Sequence, residues 1–203
     1  MPELGLTYLF VFLIAVGGFT LLTTYWDLWH LKIPNKLTLP MFAAGLVFQL
    51  VFNGWSGREP EVGRVVVGGA GLGSALLAFL IGFGIIFVLW MIGGGGGGDV
   101  KLMGALSVWL GYWMTLHVLA VGTVVVMVVS SLTLLWSVFR RGARKTKEKY
   151  IATGKTHGRD AAKRKLETIS EKQGRRLMTF AGATAIATWI VVGWHLYRTN
   201  PFA

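Results

Sequence analysis

Charged residues fall in clusters along this chain, and between the clusters lie five stretches that contain none: residues 4–26, 37–57, 65–98, 102–139 and 177–197. A helix rising about 1.5 Å per residue needs about 20 residues to cross a hydrocarbon core of about 30 Å. Each stretch can therefore cross a bilayer at least once. As one helix the fourth would run about 57 Å, nearly twice the thickness available, so it predicts a hairpin turning near Tyr112 to His117. The expected fold is all-α, a polytopic membrane protein with six transmembrane helices at about residues 4–26, 37–55, 65–92, 102–115, 118–139 and 177–197. The fourth span is short.

Composition supports a lipid solvent. Of 203 residues, 54% are hydrophobic and only 14% charged, against roughly 25% charged in soluble domains, which excludes an ordinary water-soluble globule and a disordered chain alike. The net charge of +11 is local: residues 140–176 hold fourteen basic and four acidic side chains, and the remainder is almost neutral. That basic loop is first an anchor of topology. It is also a candidate for binding acidic headgroups, at about 1 kcal/mol per basic side chain near the surface, with a weak amphipathic pattern in Ala162, Leu166 and Ile169. No folded nucleic-acid reader accompanies the charge, so no nucleic-acid partner is expected.

Loops rich in Lys and Arg stay cytoplasmic. With an external N-terminus, Lys32, Lys36, Lys101 and the 140–176 loop share one face, while Arg58, Arg64 and Arg198 lie on the other. This places the chain in the inner, cytoplasmic membrane with both termini outside. No Lys or Arg precedes the first span, so a cleaved secretory signal is not expected. The whole chain, residues 1–203, reads as one membrane-embedded domain. Without cysteine there is no disulfide framework, no thiol catalysis and no cysteine zinc site.

Seven of the nine acidic residues sit in the N-terminal segment or polar loops; Asp27 and Asp99 do not. Asp27 closes the first span and Asp99 precedes the fourth, each beside apolar residues, where an ionisable group is a functional candidate by default. Carboxylates near the headgroups also occur for purely structural reasons. Parity favours function, because the end of a first span and the start of a fourth lie on one side of the membrane. Two neighbouring carboxyls there share a proton, one serving as base and the other as acid toward an amide bond. Asp99, at a helix start, should be the easier to ionise.

Six glycines, Gly93 to Gly98, precede Asp99. In a helix they would cost roughly 6 kcal/mol relative to alanine, so an unwound strip is expected, open to close approach by an extended peptide. A flexible linker is the plainer reading. After Asp27, Ile33-Pro34-Asn35 should break the helix, with Asn35 capping the next.

Asp27 with Lys32-Ile33-Pro34-Asn35, and Gly96-Gly97-Gly98-Asp99-Val100-Lys101-Leu102, together resemble the type IV prepilin peptidases, membrane aspartic proteases with a Gly-x-Gly-Asp motif. The resemblance implies Asp27 and Asp99 as the catalytic pair of an endopeptidase without a cofactor. It would cleave the short basic leader of prepilin or pseudopilin substrates at the cytoplasmic membrane face. Gly96, Gly97, Gly98, Pro34 and Asn35 would shape the site, and Lys101 matches the family's basic residue, to tune the pair, hold substrate carbonyls or simply reach the headgroups. Bifunctional members carry an extra cytoplasmic region, often with paired cysteines for zinc, that methylates the new pilin N-terminus. Here only Leu28 to Lys36 separates the first two spans, so the chain is more similar to the short stand-alone peptidases.

Other signals are weaker. Ala152-Thr153-Gly154-Lys155-Thr156 lacks the earlier glycine of a phosphate loop, the four histidines show no metal-ligand spacing, and Ser74 suits helix packing. A presenilin-like intramembrane protease, a proton-relaying transporter and a non-enzymatic pilus or secretion assembly protein remain open alternatives.

Overall fold

The computed structural model describes residues 2–30, 32–56, 71–93, 96–141 and 179–199. They form five helices, α1 (Pro2–His30), α2 (Asn35–Asn53), α3 (Gly71–Met91), α4 (Gly97–Arg141) and α5 (Phe180–Thr199), and no strand among the described residues. Each contains a segment long and apolar enough to cross a membrane. The all-α, multi-pass architecture thus follows the hydrophobic pattern. The 142–176 part of the basic loop, with its amphipathic pattern, and residues 65–70 of the third expected span lie outside the described residues.

The hairpin expected at Tyr112 to His117 takes another form. No loop interrupts that stretch: α4 starts at Gly97, before the expected Leu102, and its one non-helical residue is Gly111, at φ 70° and ψ 170°. A residue with a Cβ pays about 1–2 kcal/mol for left-handed backbone, and glycine does not. The break therefore falls on the glycine rather than on the aromatic residues after it. Ser107 and Thr115, four residues to either side, both face Gly82 on α3, where an added Cβ would meet Ser107 Cβ at 2.9 Å and Thr115 Cγ2 at 3.2 Å. On a straight helix those two residues would stand about 12 Å apart. Gly111 thus folds α4 back into two arms, residues 97–110 and 112–141.

The short first arm is the centre of the molecule. Val100, Leu102, Met103, Ala105, Leu106, Ser107, Val108, Trp109 and Leu110 are all buried, as expected of a helix apolar on every side. Around it, α2 brings Phe48 onto Trp109 with ring centroids 4.8 Å apart, and α3 lays Phe79 and Phe83 against Gly104. Tyr8 of α1 stacks on Phe48 at 4.8 Å. The α5 helix joins α1 through Trp189 Nε1, which donates to Thr20 Oγ1 at 3.3 Å, and meets the second arm of α4 where Gly122 faces Ala187.

A buried polar group closes the far end of the first arm. The last carbonyls of a helix lack intrahelical donors, and two of them, Val108 and Trp109, accept from Gln49 Nε2 at 3.2 and 3.4 Å. Asn53 Nδ2 donates in turn to Gln49 Oε1 at 2.8 Å, and Trp109 Nε1 donates to the Met41 carbonyl at 2.9 Å.

Candidate active site

Asp27 lies in the last turn of α1, which runs on to His30 because a charge ends an apolar span without interrupting backbone hydrogen bonding. It is 3% exposed, and its burial is explained by the start of α5. Thr179 caps that helix: its Oγ1 accepts the Gly182 amide at 3.3 Å and its carbonyl the Ala183 amide at 3.2 Å. The Ala181 amide, without an intrahelical acceptor, donates to Asp27 Oδ2 at 3.4 Å. Thr24, one turn earlier on α1, approaches Gly182 with its methyl and buries an Oγ1 that has no hydrogen-bond partner.

Asp99 is the third residue of α4 and is half-buried. Its Oδ2 accepts the Gly96 amide at 3.0 Å, and its own amide donates to the Gly96 carbonyl at 3.0 Å. The carboxylate-to-amide bond is one half of a capping box, the half made by the third helical residue, and a backbone turn bond closes the same ring because glycine has no side chain to supply the other half. It corrects the expected unwound strip: Gly97 and Gly98 form the first helical turn, and the capping bonds help offset the roughly 1 kcal/mol that each glycine costs there. Gly93, at φ 82°, turns the chain after α3, and Gly96 remains non-helical; Gly94 and Gly95 lie outside the described residues. Gly98 lies against Ile33, where an added Cβ would stand 3.5 Å from both Cγ1 and the backbone nitrogen.

The cap of α2 is also not the expected one. Pro34, at φ −73° and ψ 141°, is the N-cap and makes no side-chain capping bond; its carbonyl accepts the Leu37 amide at 3.1 Å and the Thr38 amide at 3.4 Å. The ring of Pro34 presets the entry angle. Asn35 is left free for a different partner, and its Oδ1 accepts Lys101 Nζ at 2.7 Å on the exposed surface.

Three contacts therefore gather the expected residues: Asp27 on the start of α5, Gly98 on the α1–α2 connection, and Lys101 on the start of α2. The elements bearing Asp27 and Asp99 meet at one end of the bundle, as the parity of the spans requires. Thr179 and Ala181 went unseen in the sequence, although a threonine before an apolar run is a helix-start signal; the apolar stretch, taken from residue 177, concealed it. Asp27 and Asp99 thus each accept a backbone amide at the start of a helix, Asp27 from α5 and Asp99 from its own α4. Among the described residues, no three His, Asp or Glu side chains are grouped to hold a metal ion.

Comparison with known proteins matches residues 14–134 to the type IV leader peptidase family, a segment that contains both aspartates. Curated relatives named "Prepilin leader peptidase/N-methyltransferase", from Aeromonas hydrophila and Aeromonas salmonicida, are 32% identical over 98 residues. The matched segment is 47% of this chain and 30% of each relative's length. No solved structure matches.

Proposed function

We propose, from the premise that the chain belongs to the type IV leader peptidase family, that it is a membrane aspartic endopeptidase removing the basic leader of prepilin-like substrates. The observation that carries this reading is the placement of Asp27 against the N-terminus of α5 and of Asp99 in the first turn of α4, both at one end of the bundle.

In the proposed reaction one carboxylate takes a proton from a water whose oxygen attacks the scissile carbonyl carbon. The protonated partner donates to the carbonyl oxygen, giving a tetrahedral diol. Collapse of the diol returns that proton, the amide nitrogen takes one from the other carboxyl, and the C–N bond breaks to leave a carboxylic acid and an amine. Gly96 and Ala181 hold the two carboxyls by backbone amides, a rigid form of orientation. Lys101, fixed by Asn35, offers a cation at the same end.

The finer topology belongs to this reading. The two arms of α4 would be the fourth and fifth of six spans, and the site would face the cytoplasm, with both termini outside. Only residues 31–34 connect α1 to α2, which leaves no room at that point for an inserted methylating region.

Co-expression with a prepilin tests the reading by the size shift of the substrate. Wild type should produce the shift, while Asp27→Asn and Asp99→Asn should each abolish it with normal membrane yield. A shift surviving either substitution would remove that carboxyl from the chemistry.

A further inference from the structure

A cavity of about 240 Å³ lies between the start of α2, the middle of α3 and the first arm of α4. Its walls are largely apolar. Phe42 of α2 and Phe79 and Phe83 of α3 form a continuous aromatic row, with ring centroids 5.0 and 5.1 Å apart. Leu39 stands at the mouth, 63% exposed on a helix apolar enough to span, so the cavity opens on the lipid-facing side of the bundle. Its polar rim is made by Asn35 and Lys101, joined by the 2.7 Å bond from Nζ to Oδ1. Among the described residues that neutral amide is the one polar partner of the Lys101 side chain. An ammonium carries three donors, and an amide oxygen does not compensate its charge. Asp99, two residues earlier, faces a different side of α4.

We infer that this is a binding site for one anionic phospholipid, whose phosphate accepts from Lys101 Nζ beside Asn35 while one acyl chain enters between Phe42, Phe79 and Phe83. An uncompensated cation at the rim of an apolar cavity calls for a ligand that is anionic at one end and hydrocarbon at the other. A free phosphate leaves the aromatic walls uncovered, and a peptide backbone entering there finds no partners for its polar groups. Basic pockets between spanning helices suit acidic headgroups in general, and the exposed Lys32 and Lys36 at the same end disfavour the ammonium of a zwitterionic lipid. The lipid would tie α2 and α3 to the helical turn that bears Asp99. The site goes beyond the peptidase reading and does not depend on it.

The test is native mass spectrometry of the purified full chain in a non-ionic detergent, titrated with phosphatidylglycerol and phosphatidylcholine of identical acyl chains. Wild type should retain one phosphatidylglycerol about fivefold better than phosphatidylcholine, the contribution of one basic side chain near the charge. Lys101→Gln should remove that preference. Lys36→Gln deletes the same charge from an exposed position outside the cavity and should keep it. Leu39→Trp, filling the mouth from an exposed position, should lower retention of both lipids with Lys101 intact. Equal losses in Lys36→Gln and Lys101→Gln would show diffuse attraction to a basic face and overturn the site, as would unchanged retention in Leu39→Trp. Displacement of the lipid by inorganic phosphate or by a soluble acidic peptide would show that no acyl chain is needed, and overturns it too.

Discussion

The amide of Ala181 donates to Oδ2 of Asp27 at 3.4 Å, across 154 residues of chain. A helix start thus acts as a backbone clamp on one of the two buried or half-buried acids. No side chain at position 181 takes part, so the contact is invisible to side-chain identity.

Ala181→Pro removes this donor where the helix does not need it. A hydrogen bond to a charged group contributes about 1.5–3 kcal/mol, and this one is long, so kcat should fall by roughly tenfold with little change in KM. Ala181→Gly, which keeps the amide, should stay near wild type. An unchanged kcat for Ala181→Pro in a steady-state assay would show that the clamp is not used.

On the proposed reading Asp99 has two separable duties. Asp99→Asn retains an acceptor for the Gly96 amide but not an ionisable group, whereas Asp99→Ala loses both. Cleavage should vanish in each, yet only Asp99→Ala should also lose about 1 kcal/mol of stability, typical of a lost cap. Thermal unfolding of the two variants in one detergent compares them directly; equal midpoints would deny the capping role.

Gln49→Leu should be among the most destabilising single changes in the bundle. It leaves the Val108 and Trp109 carbonyls and the Asn53 amide without the partner they now share, at about 1–3 kcal/mol for each buried polar group left unmade. A lowered unfolding midpoint is the expected result, with the Asp27 and Asp99 contacts untouched. A midpoint at the wild-type value would mean that other donors reach those carbonyls.

Gly82→Val should prevent the two arms of α4 from meeting α3. Even a Cβ there would come within 2.9 Å of Ser107, and overpacking of this kind costs about 1–3 kcal/mol. Folded yield in membranes should drop, and Gly84→Val, at a position with open space around it, should be tolerated.

How far the sequence could be read follows from which forces act within it. Freedom from charge located all five described helices, since lipid exposure is a property of long runs. The placement of Asp27 and Asp99 at one end of the bundle followed from counting spans, which needs no contact. The details that failed were contacts: Asn35 reads as a cap by residue type, yet Pro34 shapes the entry and Lys101 claims the Asn35 oxygen. Gly97 and Gly98 read as unwound by propensity, yet Asp99 bonds back to Gly96 and makes the turn. The reversal at Gly111 was placed a few residues late, because span length indicates that a turn must exist and not which residue can tolerate φ 70°.

The first arm of α4, residues 97–110, is only about 21 Å long, some 9 Å less than the apolar layer it sits in. Its far end is closed inside the bundle, where the buried amide of Gln49 takes the place of solvent at the last carbonyls and Asn53 braces it. The protein dissolves that helix terminus in its own side chains. A stub whose last carbonyls are satisfied within the protein leaves its other end, with Asp99, packed beside the α1–α2 connection.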